Sequence, residues 1–165
     1  MTPTPPATVP LSGCAQDTGP GLLGAAWDST TPAQVRTGQH AEAVHLPTAI
    51  TGPLLDELAR QHARPGAIWA EGDDLYVLVP TGPEQTIWPE PGRRISGPWL
   101  TLPAHPAHPQ SDRLRWISHS DTGPVLTDPA VLHATLRALA TTGSSAAAGR
   151  IEPEERPEAA AIREA

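Results

Sequence analysis

Residues 66–80 read GAIWAEGDDLYVLVP, and this stretch decides the fold. Two apolar runs flank the acidic pair Asp73 and Asp74, which follows Gly72. Aspartate and glycine tolerate the positive φ angles of tight turns, so the pattern predicts a β-hairpin with both aspartates exposed at its tip. The alternative is that the two carboxylates hold a catalytic metal. Catalytic carboxylates normally stand on strand ends that face a cleft, which favours the hairpin.

The segments around the hairpin carry further strand and helix signals. Short apolar or alternating runs predict strands at EAVHL (42–46), TIW (86–88), GPWLTL (97–102) and RLRWIS (113–118). Apolar residues spaced three and four apart predict helices at TGPLLDELARQHA (51–63) and TDPAVLHATLRALA (127–140). Thr51 is the expected cap of the first helix, and Thr127 or Asp128 that of the second. This order predicts one α+β domain with a mixed, mostly antiparallel sheet and two main helices.

The two ends of the chain differ in composition from its middle. The chain has 21 prolines and 14 glycines, many of them near the amino terminus, so residues 1–30 are predicted to be disordered. Residues 143–165 combine small residues with acidic charge and are predicted to form a flexible tail. The α+β domain is then expected over residues 31–142. One question stays open, because GLLGAAW (21–27) is apolar enough to pack on the domain.

Charge and cysteine content exclude several classes of protein. The net charge of −7 argues against a large phosphate-neutralising surface, although not against a local patch of arginines, which supply all 11 basic residues. A single cysteine, Cys14, excludes an intrachain disulfide and a cysteine-built zinc site. The sequence has no apolar run of about 18 residues and no signal-peptide pattern, which predicts a cytoplasmic protein without a membrane segment.

Several short patterns follow one another along residues 31–140. They are EAVHLP (42–47), RPGAIWAEGDDLYVLVPTG (64–82), GPWLTLP (97–103), LRWISH (114–119) and LTDPAVLHATL (126–136). This series resembles actinobacterial proteins related to the N-terminal domain of bifunctional DNA primase/polymerases. The resemblance implies a primase/polymerase-like domain with a role in replication or mobile-element biology.

The catalytic pattern of the resembled family is not matched. Active members use carboxylates on an early strand and a histidine after a glycine-rich turn to hold paired metal ions for phosphoryl transfer. Here the early strand offers only Glu42, and Val44 occupies an alternate position on the same face. Leu75 and Tyr76 follow the turn where a histidine is expected. The resemblance therefore implies a non-catalytic module, with no catalytic residue, cofactor or metal site assigned.

Two other groups of polar residues are interpreted as ordinary loops. His105 and His108 lie in PAHPAHPQ (103–110) with no acidic neighbour in sequence, so a surface loop is preferred to a metal site. The run from Ser118 to Asp121 contains the residue types of a catalytic triad. Adjacent residues cannot converge as nucleophile, base and orienting group, so a turn is expected there.

The arginines give the candidate binding site. The sequence predicts a nucleic-acid-binding face made of Arg93, Arg94, Arg113, Arg115 and Trp116, provided that the sheet brings them together. The competing interpretation is that tryptophans fill the core, since the chain lacks phenylalanine. Three hypotheses remain: a non-catalytic module that binds single-stranded nucleic acid or a partner protein, a purely protein-binding accessory factor, and a nucleotidyltransferase with displaced ligands.

Overall fold

A computed structural model describes residues 22–37, 41–82, 86–95 and 99–148 of the chain. The strands are β1 (Ala33–Arg36), β2 (Ala41–Pro47), β3 (Ile68–Glu71), β4 (Asp74–Pro80), β5 (Arg93–Ile95), β6 (Trp99–Leu102) and β7 (Leu114–Ser118). Helix α1 spans Thr51–Arg60 and helix α2 spans Pro129–Ala148. Within the described residues, neither helix is long and apolar enough to cross a membrane.

The hairpin predicted from residues 66–80 is present as β3 and β4. Gly72 has φ +61°, as the first central position of a type II′ turn requires, and Asp73 is exposed at the tip. The prediction is wrong for Asp74, which begins β4 and is only half exposed. Its Oδ1 lies 2.6 Å from His45 Nε2, because β2 pairs with β4 and brings His45 diagonally across from Asp74.

Five of the strands form one antiparallel sheet with the order β5-β2-β4-β3-β7. A second, two-stranded sheet pairs β1 with β6, also antiparallel, and is called the ribbon below. Together with the two helices, these sheets confirm the predicted α+β architecture. The strands β5 and β7 are the two edges of the larger sheet, which matters for the arginines that they carry.

The helices pack on one face of the five-stranded sheet. The side chains of this core alternate along the strands with those of the opposite face, as strand geometry requires. The fully buried members are Val44, Leu46, Ile68, Leu75 and Val77 from the sheet, with Leu54, Leu58, Leu132 and Leu136 from the helices. Burying these apolar residues stabilises the helix layer on the sheet.

The ribbon packs on the other face of the sheet and forms a second core. Its buried members are Trp27, Val35, Ala43, Ala67, Trp69, Leu78, Leu100, Leu102 and Val125. Trp27 has no exposed surface, so the segment before β1 is part of the domain. The predicted boundary at residue 30 is therefore wrong for residues 22–30, because the apolar side chains there find a place between the ribbon and the sheet. Residues 1–21 lie outside the described residues.

Four further segments differ from the sequence-based predictions. Residues 86–88 form no strand; Trp88 packs into the helix-side core, while Ile87 is 84% exposed. Strands β1 and β5 were not predicted, since four and three residues give too short a pattern. Helix α2 continues to Ala148, so the first residues of the predicted tail are helical, whereas residues 149–165 lie outside the described residues.

The capping predictions are confirmed at only one helix. Asp128 caps α2, because its Oδ1 accepts a hydrogen bond from the Ala130 N–H at 2.8 Å. Thr51 does not cap α1; its hydroxyl donates to the Thr48 carbonyl instead. Thr127 is buried, and its Oγ1 accepts a hydrogen bond from the Gly66 N–H at 2.8 Å.

Candidate functional site

The four arginines of the predicted binding face do not lie together. Arg93 and Arg94 are on β5, whereas Arg115 is on β7, and these strands are opposite edges of the sheet. Arg113 precedes β7 near the hairpin turn, where its carbonyl accepts the Gly72 N–H at 2.7 Å. The prediction of a single positive face built from all four side chains is therefore wrong, since three strands separate the two edges.

Arg94 is occupied by a carboxylate on the helix side of the sheet. It forms an ion pair with Glu42, and the two side chains are only 19% and 9% exposed. The pair lines a cavity of about 170 Å³ together with Trp88 and Pro129. Because each charge neutralises the other, this arrangement presents neither a cation to a phosphate backbone nor a carboxylate to a metal.

Trp116 is partly buried and packs against the core on the ribbon side. Its ring lies 5.2 Å from that of Trp27 and 5.8 Å from that of Trp69, and its Nε1 donates to the Ala104 carbonyl at 3.0 Å. These contacts fit the competing interpretation, in which tryptophans fill the core of a chain without phenylalanine. The Trp116 ring is therefore held by contacts within the protein.

A different tryptophan and a different arginine meet on the ribbon. Trp99 is 55% exposed and stands directly opposite Arg36 in the β1–β6 register, so both side chains project from the same face. The adjacent pair on that face is Gln34 and Thr101. We call these four residues the ribbon face. Arg93 is exposed and pairs with His45, which places it on the ribbon side of the sheet.

The hairpin tip carries an acidic group of residues. Glu71, Asp73, Asp74 and Asp112 line an open depression of about 650 Å³ beside Arg113. Tyr76 lines the same depression, and its ring lies 5.6 Å from that of His45. Burial raises the pKa of Tyr76, and the charges of Asp74 and Glu71 raise it further, because each disfavours the phenolate.

Two histidines and an aspartate converge below the ribbon, at the end away from Trp99. His105 follows β6, while His119 and Asp121 follow β7, and their ligand atoms all lie within 4.8 Å of one another. Asp121 Oδ1 lies 3.3 Å from His105 Nε2 and 3.9 Å from His119 Nδ1. Trp27 Nε1 donates to the same Oδ1 at 3.1 Å. We call His105, His119 and Asp121 the His–Asp cluster.

The environment of the cluster shifts the pKa values of two of its members, His119 and Asp121. Burial is the largest influence on the pKa of His119 and lowers it. The charges of Asp121 and Asp28 raise this pKa and His105 lowers it, so that the pKa lies below its ordinary value. Partial desolvation raises the pKa of Asp121, but hydrogen bonds from Trp27 and His105 outweigh it, so this pKa lies below its ordinary value. Folding therefore favours a neutral imidazole beside an ionised carboxylate.

No family model, no curated protein and no solved structure matches this chain. The functional assignment therefore rests on the geometry of its own residues.

Neither the ribbon face nor the His–Asp cluster was found from the sequence. The ribbon face requires β1, whose alternating AQVR run (33–36) is a weak signal of a strand. The cluster joins residues from separate loops, and the sequence interpretation paired His105 with His108 instead. In the structure the ring of His105 lies 6.5 Å from the His108 ring but only 5.0 Å from the His119 ring.

Proposed function

We propose that this chain is a non-catalytic module that binds single-stranded nucleic acid through its ribbon face. The observation that carries the proposal is the pairing of an exposed indole, Trp99, with an exposed guanidinium, Arg36, on one face of a two-stranded ribbon. An indole stacks on any base, and a guanidinium beside it contacts the neighbouring phosphate.

The surroundings of the pair favour nucleic acid over a protein partner. Gln34 and Thr101 continue the ribbon face with polar groups that donate hydrogen bonds to phosphate or base edges. A protein interface normally has a broader apolar centre. The other large apolar side chain that the described residues expose is Ile87, which lies outside the ribbon. A protein partner is therefore the competing outcome of the test.

The proposal includes a primase/polymerase-like ancestry without nucleotide transfer. Phosphoryl transfer requires metal ions held by clustered oxygen ligands. Glu42, the carboxylate on the strand that matches the resembled family, is paired with Arg94 in a nearly buried position. Of the hairpin aspartates, Asp73 lies in the turn and Asp74 contacts His45. These placements support a scaffold that binds rather than one that reacts.

A binding titration with a labelled single-stranded oligonucleotide tests the proposal. Base–aromatic stacking contributes about 1–3 kcal/mol per base, so Trp99→Ala should weaken binding between about 5-fold and about 150-fold. Arg36→Ala should weaken it and lower the salt slope by about 0.7, the value for one phosphate contact on a single strand. Arg137→Ala is the matched control, since it removes an exposed arginine from α2, in the layer on the opposite side of the sheet.

Three results would contradict the proposal. The first is equal binding by the wild-type chain and Trp99→Ala, which would place the contact elsewhere. The second is metal-dependent primer synthesis or extension that Glu42→Ala or the double change Asp73→Ala/Asp74→Ala abolishes, which would show a nucleotidyltransferase. Absence of nucleic-acid binding together with a partner protein captured through Ile87 would favour the accessory-factor hypothesis.

A further inference from the structure

The His–Asp cluster contains a buried imidazole, that of His119. The His119 side chain is 7% exposed, and its buried Nε2 has no hydrogen-bond partner among the described residues. Its Nδ1 points toward Asp121 Oδ1 across 3.9 Å, which is too long for a hydrogen bond. Buried polar groups are normally satisfied, so an imidazole with an unpartnered buried nitrogen beside a carboxylate needs an explanation.

The spacing of the donor atoms suits a metal ion. Nitrogen and oxygen ligands stand about 2.1 Å from a tetrahedral zinc ion, which places neighbouring ligands roughly 3.4 Å apart. His105 Nε2 lies 3.3 and 3.4 Å from the two oxygens of Asp121, and His119 Nδ1 lies 3.9 Å from one of them. The three ligand atoms all lie within 4.8 Å of one another, so reaching the spacing of a zinc site requires the atoms to approach by at most about 1.4 Å.

The surroundings fix the cluster before any ion arrives. The His119 ring stacks on Trp27 with centroids 4.0 Å apart and meets Trp116 edge-on at 4.8 Å. Trp27 Nε1 donates to Asp121 Oδ1, which orients the carboxylate as an outer-shell hydrogen bond does in metal sites. The loop of His105 is tied to the segment before β1, because the His105 N–H donates to the Ser29 carbonyl at 2.8 Å.

We propose that His105, His119 and Asp121 bind one divalent transition-metal ion of the zinc or cobalt type. Two imidazole nitrogens and one carboxylate oxygen are a donor set that such ions prefer. Three protein ligands leave a fourth position for water, on the side where Asp121 is exposed. The bound ion joins the loops after β6 and β7 to each other, next to the segment that carries Trp27.

Binding requires one change at His105. Its Nδ1 accepts a hydrogen bond from the Ala107 N–H at 3.1 Å, so in the metal-free protein the ring proton is on Nε2, facing Asp121. For Nε2 to bind the ion, the proton must move to Nδ1 and the contact with Ala107 must open. Ala107 is exposed, so its N–H can turn to water.

The test uses the full chain freed of metal by a chelator, with Zn²⁺ followed by calorimetry and Co²⁺ by its visible absorption. The proposal predicts one ion per chain and a higher unfolding midpoint with Zn²⁺, because an ion that binds only the folded state stabilises it. Asp121→Asn keeps the shape and the Trp27 acceptor. It and His105→Gln should each weaken binding more than about tenfold, since even outer-shell changes have effects of 10- to 100-fold.

His45→Gln is the matched control. It removes a histidine from the other close histidine–carboxylate pair, His45 and Asp74, which offers only two potential metal ligands. Its affinity for Zn²⁺ should equal that of the wild-type chain, and His108→Gln should behave in the same way. No binding by the wild-type chain, or full affinity in both Asp121→Asn and His105→Gln, would overturn the proposal. Loss of binding in His45→Gln would overturn it as well.

Discussion

Two buried threonines allow the same substitution, threonine to valine, to be tested where different losses of stability are expected. Thr127 and Thr135 are both at most 1% exposed, and valine has nearly the same shape as threonine. The Oγ1 of Thr127 accepts the Gly66 N–H at 2.8 Å in a buried contact between distant parts of the chain. The Oγ1 of Thr135 donates to the Val131 carbonyl one helical turn earlier.

The expected destabilisation differs because the partners differ. Thr127→Val leaves the buried Gly66 N–H without an acceptor, and an unsatisfied buried donor costs about 1–3 kcal/mol. Thr135→Val leaves the Val131 carbonyl with the main-chain hydrogen bond that α2 already provides. Its effect should stay within about 0.5 kcal/mol, as for changes that leave no unsatisfied group.

Urea unfolding followed by tryptophan fluorescence measures both variants against the wild-type chain. The Gly66 backbone packs tightly, because a Cβ there would lie 2.4 Å from the Val125 carbonyl oxygen. This tight packing leaves the Gly66 N–H little freedom to turn toward another acceptor. Thr127→Ser is the control that keeps the acceptor, and it should recover most of the loss seen for Thr127→Val. Equal free energies of unfolding for Thr127→Val and Thr135→Val would refute the reasoning.

Two more predictions concern the faces of the sheet. Tyr76 is the only tyrosine, so phenolate absorbance reports its titration alone. Its folded-state pKa lies above the unfolded value, so its contribution to stability is full below about pH 10 and is lost as pH rises through the folded pKa. Asp74→Asn should lower the titration midpoint and Asp112→Asn should not; a midpoint unmoved by both would contradict the assignment. Trp27→Ala should reduce the free energy of unfolding by about 3–5 kcal/mol, and a loss below about 1 kcal/mol would mean that the segment before β1 is not docked.

The parts of the fold that follow local patterns could be predicted from the sequence. The hairpin at residues 66–80 and helix α2 each combine a clear apolar period with turn or cap residues, and both are present. Strand β1 has four residues, too few to show a period, so the ribbon was missed, and edge strand β5, with three residues, was missed for the same reason. The short apolar run that contains Trp88 was assigned to a strand. Trp88 is instead buried by contacts with the helix layer, which no local pattern reveals.

The candidate sites depend on contacts between distant residues. Arg93 and Arg115 looked like one patch in sequence, but strand order places them on opposite edges. His105 and Asp121 are joined only because β6 and β7 end near the same region, next to Trp27. Sequence supplied the idea that indole and guanidinium side by side bind nucleic acid, while the strand register determines which pair, Trp99 with Arg36, is exposed to do so.

The central claim is that nucleic acid contacts the ribbon face, and the indole N–H resonances of the five tryptophans test it most directly. In a titration with a short single-stranded oligonucleotide, the resonance that disappears in Trp99→Phe should shift in proportion to occupancy. The resonances of Trp27 and Trp69, which are buried in the ribbon-side core, and of Trp116, which packs against that core, should move far less. An unshifted Trp99 resonance at saturating oligonucleotide, or larger shifts at these three tryptophans, would contradict the account.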